Sequence, residues 1–79
     1  MKFAVQVLPK PEVLDSQGRA VEALLKKEGF DLNSCRVGKY IEIEVNAKSE
    51  TEALDNLKKM SEYVLYNPLI EKIEIKKIN

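Results

Sequence analysis

The chain has 79 residues, 44% of them hydrophobic and 33% charged, and its 13 basic and 13 acidic side chains leave a formal net charge of zero. This length and composition predict one small globular domain over residues 1–79, of a size that is marginal alone and favours association with another chain. A chain without excess positive charge is poorly suited to non-specific nucleic-acid binding, and no apolar run approaches the roughly 20 residues that span a bilayer.

The first strand and the first helix follow from simple periodicity. Apolar side chains alternate from Lys2 to Leu8, which predicts a strand, and the prolines that follow forbid further ladder hydrogen bonds. Asp15 is a good N-cap for a helix from about Ser16 to Glu28. Gly29 stands where a helix C-terminus favours a left-handed residue. A glycine in the first helical turn, Gly18, suggests either fraying or the close approach of another subunit or an anion.

The segment 36–45 predicts a long central strand. Its apolar side chains share one parity with Cys35, and Lys39 interrupts that parity directly after Gly38. A lysine on the apolar face requires water, a partner or a kink, and glycine within a strand often marks a bulge. We therefore expect one long, bent central strand whose ends are able to pair with another chain.

The second half of the chain predicts one more helix and one more strand. Ser49 and Glu52 form the pattern of a capping box, which opens a helix running to about Tyr66. Asn67 and Pro68 end that helix, because the residue before a proline is forced out of the α region. Alternating isoleucines then predict a last strand from about Ile70 to Lys77.

Together these elements predict an α+β fold in the order β-α-β-α-β. Each helix has a single apolar stripe, which favours two helices packed on one face of a small, largely antiparallel sheet. Because three strands and two helices bury little core, we expect at least a homodimer that shares a sheet.

The side chains available for chemistry are few. Without histidine, zinc sites and serine–histidine or cysteine–histidine nucleophiles are excluded, and the single Cys35 indicates a reducing, cytoplasmic setting. Glu42 and Glu44 share one strand face, but two adjacent carboxylates are typical of a solvated surface rather than a metal site. No phosphate-binding loop is present. The residues thus predict a binding or assembly module with no catalytic residue and no metal ligand of its own.

Four segments in a fixed order resemble one known family. They are Val13–Val21, Gly29–Phe30, Arg36–Glu42 and Asn67–Glu71, and their sequence and spacing are similar to those of PurS, the small subunit of phosphoribosylformylglycinamidine (FGAM) synthase. Where the family usually has proline, this chain has Ser16, which also suits a first helical turn. The resemblance covers essentially the whole chain.

The resemblance implies a non-catalytic subunit of an ATP-dependent glutamine amidotransferase complex in de novo purine biosynthesis. In that family a large synthetase subunit binds ATP, magnesium and formylglycinamide ribonucleotide, a glutaminase subunit releases ammonia, and the small subunit bridges them and aids ammonia transfer. This chain would then bind no cofactor itself, and its partners would be those two subunits and further copies of itself. By motif position, the implied docking residues are Asp15, Gln17, Gly18, Arg19, Arg36, Gly38, Lys39, Tyr40, Asn67 and Pro68.

Two other classes of function remain as alternatives. The main one is a regulatory α+β dimer that binds a small ligand, such as an amino acid, between its subunits. The other is a module for single-stranded RNA, which would need more exposed aromatic side chains on the sheet than Phe3 and Tyr40 supply.

Overall fold

The first strand lies at the centre of a three-stranded antiparallel sheet of order β2-β1-β3. The computed structural model describes the backbone of residues 1–79 and every side chain except that of Tyr63. The elements are β1 (Lys2–Pro9), α1 (Ser16–Lys27), β2 (Lys39–Glu44), α2 (Glu50–Met60), a π-helical turn (Ser61–Leu65) and β3 (Glu71–Lys77). The predicted β-α-β-α-β order and the antiparallel sheet are confirmed.

The core forms between β1 and α2. Phe3, Val5 and Val7 are fully buried on one face of the sheet, and Ala53 and Leu57 of α2 pack on them. Half-buried isoleucines of β2 and β3 flank this centre on both sides. A strand hydrogen-bonded on both edges and covered by a helix loses the most water, which explains why the apolar face of β1 is the best buried.

The second helix begins as predicted and ends earlier. The hydroxyl of Ser49 accepts a hydrogen bond from the Glu52 N–H at 3.1 Å, and the Glu52 carboxylate accepts from the Lys48 N–H at 3.1 Å. The α-helix stops at Met60, and the Tyr66 N–H then donates to the Ser61 carbonyl, five residues back, at 3.3 Å. Ser61 is fully buried and its hydroxyl donates to the Leu57 carbonyl at 2.7 Å, a local bond that competes with the regular helix ladder.

The expectation that both helices cover the sheet is correct for α2 alone. Leu24 on α1 stays 63% exposed and Val21 39% exposed, and the core contains no residue of α1. The helix ends as predicted at Gly29 (φ 92°), where the Phe30 N–H donates to the Leu25 carbonyl at 3.1 Å. The molecule is elongated, 50 × 26 × 15 Å. The apolar stripe of α1 is therefore not covered by the chain itself.

The expected long central strand is a six-residue edge strand instead, Lys39–Glu44, and the central position belongs to β1. The pairing stops short because the Val37 N–H donates to the Asp15 carboxylate, 22 residues earlier, and not to a neighbouring strand. Residues 36–38 thus connect α1 to the sheet and do not extend its ladder.

Candidate docking surface

Asp15 fastens the start of α1 to the segment that enters β2. One carboxylate oxygen accepts from the Gly18 N–H at 2.9 Å, as the predicted N-cap should, and the other accepts from the Val37 N–H at 2.9 Å. These two hydrogen bonds, to Gly18 and then Val37, hold the pKa of Asp15 below its usual range, and the charge of Arg36 acts in the same direction. Asp15, a predicted docking residue, thus also stabilises the fold by joining two segments of its own chain.

The two glycines of the predicted site mark close approaches of the chain to itself. A Cβ on Gly18 would lie under 3.0 Å from both the Cys35 carbonyl oxygen and the Asp15 carboxylate. A Cβ on Gly38 would collide with the Val7 carbonyl oxygen of the neighbouring strand. Neither glycine has a positive φ, so space and not backbone conformation requires them. The group that approaches Gly18 belongs to this chain.

Lys39 has the partner that its position in the strand pattern requires. Its ammonium group donates to the Leu65 carbonyl at 3.2 Å, at the end of the π-helical turn. A cation is favourable at a helix C-terminus, where carbonyl groups lack intrahelical partners. The side chain is exposed, so the ammonium group remains accessible to a further partner.

Four of the predicted docking side chains are exposed and make no hydrogen bond or ion pair among the described residues. They are Gln17, Arg19, Arg36 and Tyr40. Arg19 follows Gly18 and Arg36 precedes Val37, so the two arginines flank the Asp15 fastening. Arginine and tyrosine are among the residue types enriched at the positions that dominate binding energies at interfaces.

Asn67 and Pro68 build the turn into β3. The side-chain oxygen of Asn67 accepts from the Leu69 N–H at 3.0 Å, and its backbone carbonyl accepts from the Glu71 N–H at 2.8 Å. Leu69, which the sequence analysis did not single out, is 82% exposed at the tip of this turn. The turn residues therefore shape the surface, while the apolar side chain between them is presented to solvent.

An open groove of about 290 Å³ brings several of these residues together. It lies where β1 ends and where β2 and β3 begin, and its floor and walls combine apolar and polar groups. The lining residues are Pro9, Val13, Leu14, Asp15, Ser16, Gln17, Val37, Gly38, Lys39, Ile70 and Glu71. Seven of the lining residues were not among the predicted docking residues: Pro9, Val13, Leu14, Ser16, Val37, Ile70 and Glu71. The apolar pair Val13 and Leu14, between a proline and a helix cap, is a signal that could have found two of them. We call this groove, together with Arg19, Arg36 and Tyr40, the docking surface.

The described residues offer no metal site and no membrane span. Among the side chains that the structure describes, no group of three or more cysteine, aspartate or glutamate residues could hold a metal ion. No helix within residues 1–79 is long and apolar enough to cross a bilayer. The docking surface exposes arginine, lysine, tyrosine and aliphatic side chains.

Comparison with known proteins decides the family. The family model PurS, described as phosphoribosylformylglycinamidine (FGAM) synthase, matches residues 2–79. The chain belongs to the PurS family. It is similar to the FGAM synthase subunit PurS of Thermotoga maritima, with 35% identity over 98% of this chain and 95% of the relative. The corresponding subunit of Synechocystis sp. is 38% identical over 85% of this chain and 68% of its own length.

A solved structure supports the same assignment. A chain in the structure of PurLQS from Thermotoga maritima has a TM-score of 0.91 and 33% identity, over 98% of this chain and 95% of that one. The predicted resemblance is confirmed, and with it the place of this chain as a PurS subunit of FGAM synthase, a ligase complex of purine biosynthesis.

Proposed function

We propose that this chain is the non-catalytic subunit that assembles with a second copy of itself and bridges the synthetase and glutaminase subunits of a cytoplasmic FGAM synthase. The complex converts formylglycinamide ribonucleotide to formylglycinamidine ribonucleotide, using ATP, magnesium and glutamine bound by the other subunits. The chain aids ammonia transfer by holding those subunits together. The observation that carries this proposal is the apolar stripe of α1, which its own chain leaves uncovered.

The exposed apolar side chains in and beside α1 favour association of this chain with a partner. Leu24 and Phe30 are 63% and 62% exposed, and Leu14 before the helix is 64% exposed. An isolated helix of 12 residues is marginal in water, and α1 is fastened to the rest of the chain at its first turn through Asp15. Fully burying one leucine contributes about 1.5–3 kcal/mol, so a partner that covers this stripe stabilises both the helix and the complex.

The predicted docking residues divide into framework and contact residues. Asp15, Gly18, Gly38 and Asn67 hold the backbone in place through the bonds and close approaches described above. Arg19, Arg36 and Tyr40, with Gln17, are exposed and free to bind a partner. Substitution of a framework residue should therefore alter the fold locally, whereas substitution of a contact residue should weaken binding and leave the fold intact.

The bridging role is tested by reconstituting the reaction. Amidination of formylglycinamide ribonucleotide by the synthetase and glutaminase subunits is measured with and without this chain, once with glutamine and once with an ammonium salt as the nitrogen source. We expect the glutamine-driven rate to require the chain and the ammonium-driven rate to depend on it much less. Equal glutamine-driven rates in its presence and absence would refute the bridging role. Light scattering of the isolated chain tests self-association separately.

A further inference from the structure

The free edge of β2 exposes a defined set of backbone groups. The Val45 N–H donates to the Met1 carbonyl at 2.7 Å, and the N-terminal amine of Met1 donates back to the Val45 carbonyl at 3.2 Å. Hydrogen-bonded pairs alternate along an antiparallel ladder, so the odd-numbered residues of β2 bond to β1. The backbone N–H and C=O groups of Tyr40, Glu42 and Glu44 consequently point away from the sheet.

The two edges of the sheet differ in their protection against strand addition. The β3 edge bears three lysines, Lys72, Lys76 and Lys77, and lysine is the residue that natural edge strands use to prevent pairing. The β2 edge has one lysine, Lys39, at the first residue of the strand. The edge open to another strand is thus that of β2.

We propose that β2 pairs antiparallel with β2 of a second copy, about a two-fold axis that passes through Ile41. This inference rests on the self-association in the proposed function and adds its location and register. A two-fold axis makes the contact close on itself, and the two sheets become one of six strands, twice the observed three. Small domains gain from such sharing because they bury little core alone.

Charge selects this register over its neighbours. An axis at Glu42 would place that carboxylate opposite its own copy, and an axis at Ile43 would place Glu42 opposite Glu44 twice. Like charges directly opposite each other destabilise a strand pair. An axis at Tyr40 would leave only Lys39, Tyr40 and Ile41 paired within the strand, whereas an axis at Ile41 pairs every residue from Lys39 to Ile43. An axis between residues would exchange the apolar and polar faces.

An axis at Ile41 places no like charges opposite each other. Lys39 lies across from Ile43 of the second copy, and its ammonium group is bonded to the Leu65 carbonyl of its own chain. On the core face Ile41 meets the Ile41 of the second copy, and both are half-buried already. On the opposite face Tyr40, which is 58% exposed, lies across from Glu42 of the second copy. The phenol can donate a hydrogen bond to that carboxylate. The register therefore pairs an apolar group with its like and an exposed donor with an acceptor.

Disulfide cross-linking tests the register. Both variants carry Cys35→Ser, and one adds Ile41→Cys while its matched control adds Ile43→Cys, two residues along the same half-buried face. Residue 41 forms a non-hydrogen-bonded pair with Cα atoms about 4.5 Å apart, within disulfide range, whereas the two residues 43 lie about 13 Å apart. We expect a covalent dimer for Ile41→Cys on a non-reducing gel and its absence for Ile43→Cys.

Amide hydrogen exchange of the unmodified chain tests the pairing without a substitution. The amides of Tyr40 and Glu42 should be protected where light scattering shows a dimer and should lose protection when dilution gives a monomer. A dimer with unprotected amides at these residues, or preferential cross-linking through position 43, would overturn the inference and leave self-association intact. A monomer at every concentration would instead refute the self-association proposed above, and this inference with it.

Discussion

Truncating one leucine on each helix distinguishes the two environments that these helices occupy. Leu57 of α2 is fully buried, and Leu24 of α1 is 63% exposed. Leu57→Ala removes core contacts and leaves a cavity, so we expect the free energy of unfolding to fall by about 2–5 kcal/mol. Leu24→Ala should change the stability of the monomer by no more than about 0.5 kcal/mol, because the side chain is mostly in water already.

The effect of Leu24→Ala should appear in assembly instead. If a partner covers the exposed 63% of this side chain, the lost burial amounts to about 1–2 kcal/mol of the 1.5–3 kcal/mol for a whole leucine. Such a loss raises Kd about 5- to 30-fold. Urea denaturation at concentrations where light scattering shows a monomer measures the first quantity, and calorimetric titration with the synthetase subunit or dilution of the homo-oligomer measures the second. Equal destabilisation of the two monomeric variants would show that α1 is covered by its own chain and would refute this reasoning.

Three further substitutions test the docking surface and its framework. Gly38→Ala should lower the free energy of unfolding in urea by about 1–3 kcal/mol, since its Cβ meets the Val7 carbonyl. Gly29→Asn should cost less, because nothing lies within 4 Å of an added Cβ and only the positive φ opposes the asparagine. Asp15 has a lowered pKa in the folded state, so its contribution to stability should be complete above the ordinary aspartate pKa of about 3.9 and should disappear as pH falls through the lower folded pKa. The difference in stability between the unmodified chain and Asp15→Asn, measured by thermal melting from pH 7 to pH 2, should therefore shrink over that window. A difference independent of pH would contradict the role of the carboxylate charge. Arg36→Glu should leave the circular dichroism spectrum unchanged and weaken binding to the synthetase subunit, while Lys58→Glu, on α2, should leave binding unchanged; unaltered affinity for Arg36→Glu would remove it from the surface.

Local chemistry made much of this fold predictable. The caps at Asp15 and Ser49 and the left-handed Gly29 depend on residues within a few positions of one another, and all three occur as expected. The alternation of β1 survives because Phe3, Val5 and Val7 all enter the same core. Contacts of this kind depend on short segments of sequence, so they can be predicted from one sequence alone.

The errors arose where a distant part of the chain competes for the same group. The apolar parity of Val37 predicts a continued strand, but its N–H bonds to the carboxylate of Asp15. Residues that approach each other across such distances leave no periodic signal. The break at Lys39 was nevertheless visible, because a lysine on an apolar parity is anomalous locally, and its bond to Leu65 supplies the reason.

The prediction that α1 packs on the sheet failed for a different reason, and that reason bears on function. An apolar stripe predicts that a helix will be covered by other apolar groups, but it does not predict whether those groups belong to the same chain or to another. The stripes of α1 and α2 have the same helical spacing, yet α2 supplies Ala53 and Leu57 to the core and α1 supplies nothing. The 33% of residues that are charged keep such a chain in solution while one stripe remains exposed. An apolar helix stripe that its own domain leaves exposed is expected in a subunit that completes its packing only within a complex.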